Sequence, residues 1–406
     1  MRFVLACSSA ALLFVAVLTG APESDARWWR GNTHTHTLWS DGDAAPTQVV
    51  GWYARSDYDF LVLSDHNQLQ VGERWFEVSE GGRLTPDHVE LLAGKFGEDA
   101  VRLRGGEQGA SQQMKLATLD ELRDRFERQG DFILVPGEEI TSHLTQENGP
   151  NLLVHINGVN LQEYVAPRGG ETVVDIMNKT MAAVVEQSEA SGKPMFAHLN
   201  HPNFGWGLGW EDVAQMEHER FFEVYNGHRS VRNEGNESRP STERMWDLAN
   251  QRRLTELGLP LLYGVATDDA HNYHGNSVSQ PGRGWVMVRS DELSPDAITA
   301  AMRRGDFYSS SGVILRDVRT ENSTYHVHID EEEGVSYTTR FIGSKLALGE
   351  LGDASEVLLE TDENPARFSI GEDILFVRAV VTSSRVHPNP YRTGDMEQAW
   401  TQPVRP

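Results

Sequence analysis

The chain has 406 residues, enough for two or three domains with a substantial core. Hydrophobic residues make up 39% and charged residues 24%, which is ordinary for a globular protein and excludes collagen, low-complexity disorder and a multi-span membrane protein. There are 36 Lys and Arg against 60 Asp and Glu, a formal net charge of −24. Because such a surface repels a phosphodiester backbone, we expect no general nucleic-acid binding.

The first residues have the pattern of a secretory signal peptide. Arg2 precedes a short apolar run, which is followed by small residues. We predict a signal peptide over residues 1–26, cleaved after Ala21 or Ala26. The mature protein would then be exported to the periplasm or the medium without stable membrane insertion. An uncleaved membrane anchor is the alternative. Since the only cysteine, Cys7, lies in this segment, the mature chain has only nitrogen and oxygen donors for a metal.

From residue 27 onward, apolar runs alternate with amphipathic stretches of helical spacing. The runs are nearly continuous in apolar residues, as expected of strands buried on both faces of a parallel sheet. The predicted strands are Arg30–His36, Phe60–Ser64, Phe132–Val135, Leu152–Ile156, Met195–His198, Phe221–Tyr225 and Leu261–Ala266.

The helical stretches have recognisable ends. Thr118 and Glu121 form a capping box at the start of one helix. Ser294 is the expected N-cap of another, with Pro295 at its first position and Gly305 after its end. The remaining predicted helices are residues 173–190 and residues 241–257. The alternation of strands and helices predicts an α/β fold, either a β/α barrel or an open parallel sheet.

Two regions interrupt this alternation. Residues 68–116 are too long for an ordinary loop and are rich in Gly and Gln, which predicts an inserted lid or irregular subdomain. In residues 312–406 the helical period disappears and strand patterns follow one another between turns, which predicts a small all-β accessory domain. The α/β body is then residues 27–311.

Metal-binding residue types are concentrated at the C-terminal ends of the predicted strands. His34 and His36 lie two residues apart, so both imidazoles project from the same face of an extended chain. Further histidines and carboxylates follow this and the other strands: Asp41, Asp65, His66, Glu138, Glu139, His155, His198, His201, Glu223, Asp268, Asp269, His271 and His274.

A single histidine in an apolar strand is more often a hydrogen-bonded core residue than a ligand. Buried unpaired charges cost several kcal/mol each, however, so a core does not collect many of them without a compensating cation. The C-terminal ends of the strands are also where α/β barrels build their active sites. The pattern therefore predicts a multinuclear metal site, and its hard nitrogen and oxygen donors suit Mn, Fe or Zn alike.

The motifs HTHTLWSDG, SDHN, PGEE, NHP and DDAH occur in this order within residues 31–275. Together with an isolated histidine they resemble the polymerase and histidinol phosphatase (PHP) superfamily. The resemblance implies a distorted seven-stranded β/α barrel with a centre of two or three divalent metal ions. The long insertion, the wording of the third and last motifs and the β-rich tail look most like the branch that contains carbaryl (methylcarbamate) hydrolases.

Carried over motif by motif, the resemblance implies the metal ligands His34, His36, Asp41, His66, Glu139, His155, His201, Asp269 and His271. It makes Glu139 the bridging carboxylate and leaves the roles of Glu138 and Asp268 open. We expect Glu139, Asp269 and Glu223 to carry the catalytic chemistry. For Glu223 the alternatives are a position behind the ligands, an acid/base role or a simple salt bridge.

Other residues have weaker indications. Arg283, His198 and His274 are predicted to contact the substrate, although a surface arginine is the simpler interpretation of Arg283. His326 and His328 form a second His-x-His pair without accompanying carboxylates, which favours the polar face of a half-exposed strand.

Ions bound in this way lower the pKa of a water and supply a hydroxide nucleophile, so no covalent nucleophile is needed. We predict an exported metal-dependent hydrolase of a small-molecule ester, foremost a phosphoesterase. Hydrolysis of a carbamate or carboxylic ester is the alternative, favoured by the aromatic stretch Phe204–Trp210. A non-catalytic metal-binding or adhesion protein is the third hypothesis.

Overall fold

The computed structural model describes residues 26–106, 111–275, 278–347 and 349–406. The predicted signal peptide, including Cys7, lies outside the described residues except for Ala26. Among the described helices, none is both long enough and apolar enough to cross a bilayer.

Seven α-helices occur in the described residues: α1 Pro46–Tyr53, α2 Pro86–Phe96, α3 Leu119–Phe126, α4 Val173–Ser191, α5 Trp210–Val213, α6 Thr242–Arg252 and α7 Pro295–Arg304. The strands that precede α7 are β1 Arg27–Asn32, β2 Phe60–Leu63, β3 Trp75–Val78, β4 Leu103–Arg104, β5 Gln112–Lys115, β6 Ile133–Leu144, β7 Leu152–Val159, β8 Phe196–Leu199, β9 Phe221–Asn226, β10 Tyr263–Thr267 and β11 Trp285–Ser290. The strands after it are β12 Phe307–Ser310, β13 Leu315–Glu321, β14 Thr324–Ile329, β15 Tyr337–Ala347, β16 Glu350–Leu351, β17 Glu356–Thr361, β18 Ala366–Ser369, β19 Ile374–Val386 and β20 Met396–Thr401.

The fold is mixed α/β with a large central sheet. The described strands form one fourteen-stranded sheet in the order β10-β9-β8-β7-β6-β2-β1-β11-β12-β20-β19-β15-β16, with β17 also on β15, and two three-stranded sheets. The pairs β1–β2, β2–β6, β8–β9 and β9–β10 are parallel, whereas β6–β7 and β7–β8 are antiparallel. The short connection from β6 to β7 explains the difference from the predicted parallel sheet, because a parallel pair needs a long crossover.

The expected barrel is not confirmed, because strand pairing does not close the sheet. The edge of β1 that a seventh barrel strand would use is taken by β11, which pairs antiparallel from Arg27–Ser290 to Gly31–Val286. Strand β10 therefore does not pair with β1 itself. The segments that follow the two strands are joined by an isolated bridge between Thr35 and Ala270. That bridge nevertheless brings the first and last predicted motifs side by side.

The predicted helix ends are confirmed. The Thr118 and Glu121 side chains make the reciprocal capping-box hydrogen bonds of α3. Ser294 caps α7, which ends at Gly305 in the left-handed conformation with φ 86°. Helix α6 continues into a π-helical turn that ends at Gly258 with φ 64°. These signals are local, so they are readable from the sequence.

The two regions that interrupt the alternation have structures of their own. Within residues 68–116, strands β3, β4 and β5 form a small antiparallel sheet beside α2. After residue 312 the described chain has strands and turns, and β20 pairs with β12 while β19 pairs with β20. The C-terminal strands thus continue the central sheet through backbone hydrogen bonds.

A buried ion pair also fastens the C-terminal strands to the α/β body. Arg378 of β19 donates from Nε to Asp247 Oδ1 at 2.7 Å and from Nη2 to Asp247 Oδ2 at 2.9 Å, and Asp247 lies on α6. Both side chains are buried. Ser355 donates a further hydrogen bond of 2.7 Å to the same carboxylate. Two parallel charge-assisted bonds fix the position of the strand against the helix.

Replacing Asp247 with Ala removes both short bonds to the buried Arg378 guanidinium and leaves it only Glu243, at 3.3 Å from Nη1. We therefore expect a loss of roughly 3–5 kcal/mol in the free energy of unfolding. Urea denaturation followed by tryptophan fluorescence measures it. The matched control is Asp353→Ala, which removes the exposed partner of Arg244 and should cost at most about 1 kcal/mol. Equal losses in the two variants would contradict the structural role of the buried pair.

Candidate metal centre

The predicted ligands converge at one end of the central sheet, where several strands finish. His34 and His36 follow β1, His201 follows β8, and Asp269 and His271 follow β10. His36 donates its backbone N–H to the Ala270 carbonyl at 2.9 Å, which joins the first and last motifs. The second motif is joined to β6 by a bridge between His66 and Glu139. Backbone hydrogen bonds therefore assemble residues that are far apart in sequence.

Four groups of side chains each place their ligand atoms within 4.8 Å of one another. The groups are His36–Asp41–His66–His271, His34–His36–Asp269, His34–Glu139–His201 and His66–Glu139–His155. All nine predicted metal ligands occur in these groups. Because His34, His36, His66 and Glu139 each belong to two groups, the groups form one continuous cluster.

The carboxylate of Glu139 lies at the centre of the cluster. Its Oε2 is 2.8 Å from His66 Nδ1, 3.3 Å from His36 Nε2 and 3.5 Å from His34 Nε2. Its Oε1 is 3.0 Å from His155 Nδ1 and 3.3 Å from His201 Nε2. Glu139, and not Glu138, is therefore the carboxylate that the histidines surround, and its bridging role stays a prediction.

Asp269 occupies a second central position. Its Oδ1 lies 3.3 Å from His34 Nε2, 3.4 Å from His36 Nε2 and 3.5 Å from His271 Nδ1. The residue has φ 47°, a left-handed conformation that is uncommon outside glycine and in which Asp is one of the more tolerated residues. This backbone conformation occurs at the end of β10, where the carboxylate meets the histidines of the first motif.

The carboxylates and the imidazoles of the cluster shift one another's pKa values. Burial alone would raise the pKa of Glu139, but the imidazoles of His66, His34 and His155 hold that pKa well below its usual range. Burial likewise opposes ionisation of Asp269, and His34 and His36 more than offset it. Burial and the neighbouring His271 lower the pKa of His36 to about 3. Although burial opposes it, the carboxylates in turn raise the pKa of four other imidazoles, those of His34, His66, His201 and His271. The buried carboxylates therefore attract positive charge, which bound cations would supply once the imidazoles are neutral, the form that binds metals.

The residues present fit a group of divalent cations. Nitrogen and oxygen donors surround a space with several buried carboxylates, and Nε2 of His155 is buried without a hydrogen-bond partner among the described residues. A buried polar atom without a partner costs free energy, which coordination to a cation removes. Metal binding thus accounts for the clustered charge, and a cation is one partner that the unpaired nitrogen could take.

Glu223 lies directly behind the cluster and orients one of its ligands. Its Oε1 is 2.7 Å from His34 Nδ1 and accepts a hydrogen bond from Thr267 Oγ1 at 2.8 Å. Its Oε2 accepts from the His201 backbone N–H at 2.7 Å and from Asn226 Nδ2 at 2.8 Å. Both oxygens are therefore engaged, an arrangement typical of a carboxylate that fixes the tautomer of a metal-binding histidine.

Two amides that the sequence reasoning missed hold the central carboxylates. Asn200 Nδ2 donates to Glu139 Oε1 at 2.8 Å, and Asn226 Nδ2 donates to Asp269 Oδ2 at 3.1 Å. Asn200 precedes His201 and Asn226 ends β9, so their positions at strand ends were the available signal.

The other carboxylates near the cluster support loops. Asp65 accepts four hydrogen bonds from Thr37 N–H, Thr37 Oγ1, Ser40 Oγ and Gln70 Nε2, at 2.7 to 2.9 Å, and so holds the loop after β1. Asp268 accepts from Tyr53 Oη at 2.8 Å and from the Arg283 N–H at 2.7 Å. Glu138 accepts from the Val165 N–H at 3.1 Å.

The three predicted substrate contacts lie away from the cavity over the cluster. The buried Arg283 donates to the Gly227 and Val278 carbonyls at 2.7 and 2.8 Å. The ring of His274 stacks on His88 with centroids 3.6 Å apart, and His198 is buried with its ring 6.3 Å from that of His34. Their contact with substrate stays a prediction.

A cavity of about 440 Å³ lies next to the cluster, whose residues form part of its wall. Seven of the residues that line it belong to the cluster, and the remaining lining residues are Phe204, His228, Asn272 and Val278.

The prediction that the second His-x-His pair lies on the polar face of a half-exposed strand is confirmed. In β14 the side chains of Tyr325, Val327 and Ile329 are buried, while those of His326 and His328 are half-exposed.

The sequence matches no family model and no curated protein. Among solved structures, the chain is similar to a two-domain protein from Bacteroides vulgatus described as containing a predicted PHP-like metal-dependent phosphoesterase. The alignment covers 94% of this chain and 96% of that chain, at 15% sequence identity and a TM-score of 0.42.

Replacing His34 or Asp269 with Ala removes a ligand atom from the centre of the cluster, so we expect a clear loss of bound metal in each variant. Metal content after loading with Mn, Fe or Zn, measured by mass spectrometry, checks this. His326→Ala is the matched control, and its metal content should equal that of the wild type. Full metal content in both cluster variants would refute the proposed ligands.

Glu223→Ala leaves His34 Nδ1 without its carboxylate partner, so we expect metal affinity to fall by roughly 10- to 100-fold. The measurement is a Mn²⁺ titration by calorimetry, with the exposed Glu217→Ala as the control of equal charge change. An unchanged dissociation constant in Glu223→Ala would show that this carboxylate is structural only.

Proposed function

We propose that the protein is a PHP-like metal-dependent phosphoesterase that holds two or three divalent ions in the cluster around Glu139 and Asp269. The observation that carries the proposal is the sharing of ligands between neighbouring groups, which makes one multinuclear centre out of four sets of side chains. Such clusters of histidine and carboxylate beneath an open cavity are typical of hydrolases. The donor set admits Mn, Fe or Zn.

The residues divide into a buried and an exposed side. His34, His36, Glu139 and Asp269 are buried and would hold ions at the base of the cavity. Asp41 is 55% exposed and lies 3.2 Å from His271 Nε2, so it belongs to the side that is open to solvent. When bound, divalent ions at this centre lower the pKa of a water toward neutrality and offset negative charge on ester oxygens.

The chain's own contribution is positioning. Glu223, Asn200 and Asn226 fix the ligands from behind, so the site is preorganised before a substrate enters. Hydrolysis adds water across a phosphorus–oxygen bond: the water oxygen joins phosphorus, the bond to the alcohol oxygen breaks, and one proton of the water ends on the alcohol. The cavity over the cluster is the side from which a substrate would reach these residues.

Hydrolysis of a carbamate or carboxylic ester by the same centre is the second candidate. Phe204 and Val278 form an apolar part of the cavity wall, and the Phe204 ring lies 5.2 Å from that of His201. An apolar wall beside the metal ligands suits an aryl or alkyl ester group.

The deciding experiment offers four substrates to the protein after metal removal and separate reloading with Mn, Fe and Zn. The substrates are an aryl phosphate monoester, an aryl phosphate diester, an aryl methylcarbamate and an aryl acetate. We expect metal-dependent phosphate-ester turnover, and loss of that turnover in His34→Ala.

Turnover of carbamate or acetate alone would contradict the phosphoesterase proposal and favour the second candidate. Absence of turnover on all four substrates, with metal bound, would contradict both and favour a metal-binding protein without catalysis. His326→Ala serves again as the control, because its side chain lies outside the four ligand groups.

A further inference from the structure

His228 is a histidine of the cavity wall that belongs to none of the four ligand groups and that the sequence reasoning did not single out. It follows β9 directly through Gly227. A Cβ atom at Gly227 would lie 2.8 Å from the Asp268 carbonyl oxygen and 2.9 Å from Arg283 Cβ. Glycine is therefore required for the close approach that brings His228 to the cavity.

The backbone of His228 is tied to the carboxylates of the cluster. Its N–H donates to Asn226 Oδ1 at 2.8 Å, while Nδ2 of the same amide donates to Glu223 and to Asp269. One asparagine thus sets the position of His228 relative to two carboxylates of the site. A residue held in this way is preorganised toward whatever occupies the cavity.

The hydrogen bonding of the ring determines where its proton lies. Nδ1 of His228 accepts the backbone N–H of Ser230 at 3.2 Å. A neutral imidazole has one donor and one acceptor nitrogen, so its proton is on Nε2. Among the described residues no hydrogen-bond partner of this Nε2–H occurs, although the ring is only half-exposed.

The ring is held between two aromatic neighbours. It packs edge-on against Phe204, with centroids 6.1 Å apart, and against His271, with centroids 5.7 Å apart. Of the other wall residues outside the ligand set, Phe204 and Val278 have apolar side chains, while Asn272 Oδ1 accepts the Ser279 N–H at 3.0 Å and Asn272 Nδ2 donates to Asp43 Oδ2 at 3.5 Å. His228 therefore adds a polar N–H to this wall, on a ring that Phe204 and His271 hold in place.

We propose that His228 is a substrate-binding residue whose Nε2–H donates a hydrogen bond to a non-bridging phosphoryl oxygen of the ester. This inference rests on the proposed function and adds the residue that recognises the phosphoryl group apart from the metal ligands. An N–H donor suits this role, because a hydrogen bond to an ionised phosphoryl oxygen is stronger than one between two neutral groups.

The test compares His228→Ala and His228→Gln with the wild type, all loaded with the same metal. Glutamine keeps an N–H at about the reach of Nε2, whereas alanine removes it. The exposed His218→Ala is the matched control for loss of a histidine. Metal content by mass spectrometry and the urea midpoint are measured for each variant and should equal those of the wild type.

The probe is inorganic phosphate, titrated by calorimetry. Loss of one hydrogen bond to a charged oxygen should weaken phosphate binding by roughly 10- to 100-fold in His228→Ala, with partial recovery in His228→Gln and no change in His218→Ala. The value of kcat/KM for the preferred phosphate ester should fall in parallel.

The outcomes separate this inference from the proposed function. An active wild type beside an unchanged phosphate dissociation constant in His228→Ala overturns the inference alone. Loss of metal in His228→Ala also overturns it, because His228 would then be a ligand. A metal-loaded wild type that neither binds phosphate nor cleaves any phosphate ester overturns the proposed function and the inference with it.

Discussion

The buried carboxylate of Glu139 is the constraint around which the rest of the molecule is arranged. Five imidazoles lie within 3.5 Å of its two oxygens, and these come from the first, second and fourth motifs and from β7. A buried anion with so many neighbours is stable only when cations or protons balance it. The strands that carry these histidines therefore end close to Glu139, and the order of the strands in the sheet brings those ends together.

The hairpin of β6 and β7 brings the Glu139 carboxylate next to one of its histidines. Glu139 lies in β6 opposite Asn157 of β7, and His155 lies two residues further along the same strand. The antiparallel pairing places a carboxylate and an imidazole from consecutive strands side by side. Gly137 permits the close pairing, because a Cβ there would be 2.8 Å from the Gly158 carbonyl oxygen. The departure from a purely parallel sheet thus builds the centre of the site.

Support for the centre extends well beyond its ligands. Glu223 and Asn226 of β9 form hydrogen bonds with His34, with Asp269 and with the backbone of His228. One strand therefore positions three residues of the site. The C-terminal strands in turn continue the sheet through β12 and β20 and are fastened to α6 by Arg378 and Asp247. The metal centre therefore depends on long-range contacts that span most of the described chain.

The sequence by itself determined the types and order of the clustered histidines and carboxylates, the strands that carry them and the ends of the helices. These features are local: a capping box such as Thr118–Glu121, a His-x-His pair after an apolar run, or a glycine after a helix is readable within a few residues. Only the tertiary structure decided the antiparallel β7, the sheet left open where β11 takes the edge of β1, and the roles of Asn200 and Asn226 as supports. Strand partners and hydrogen-bond partners far apart in sequence are chosen by packing of the whole chain, and no local pattern records that choice.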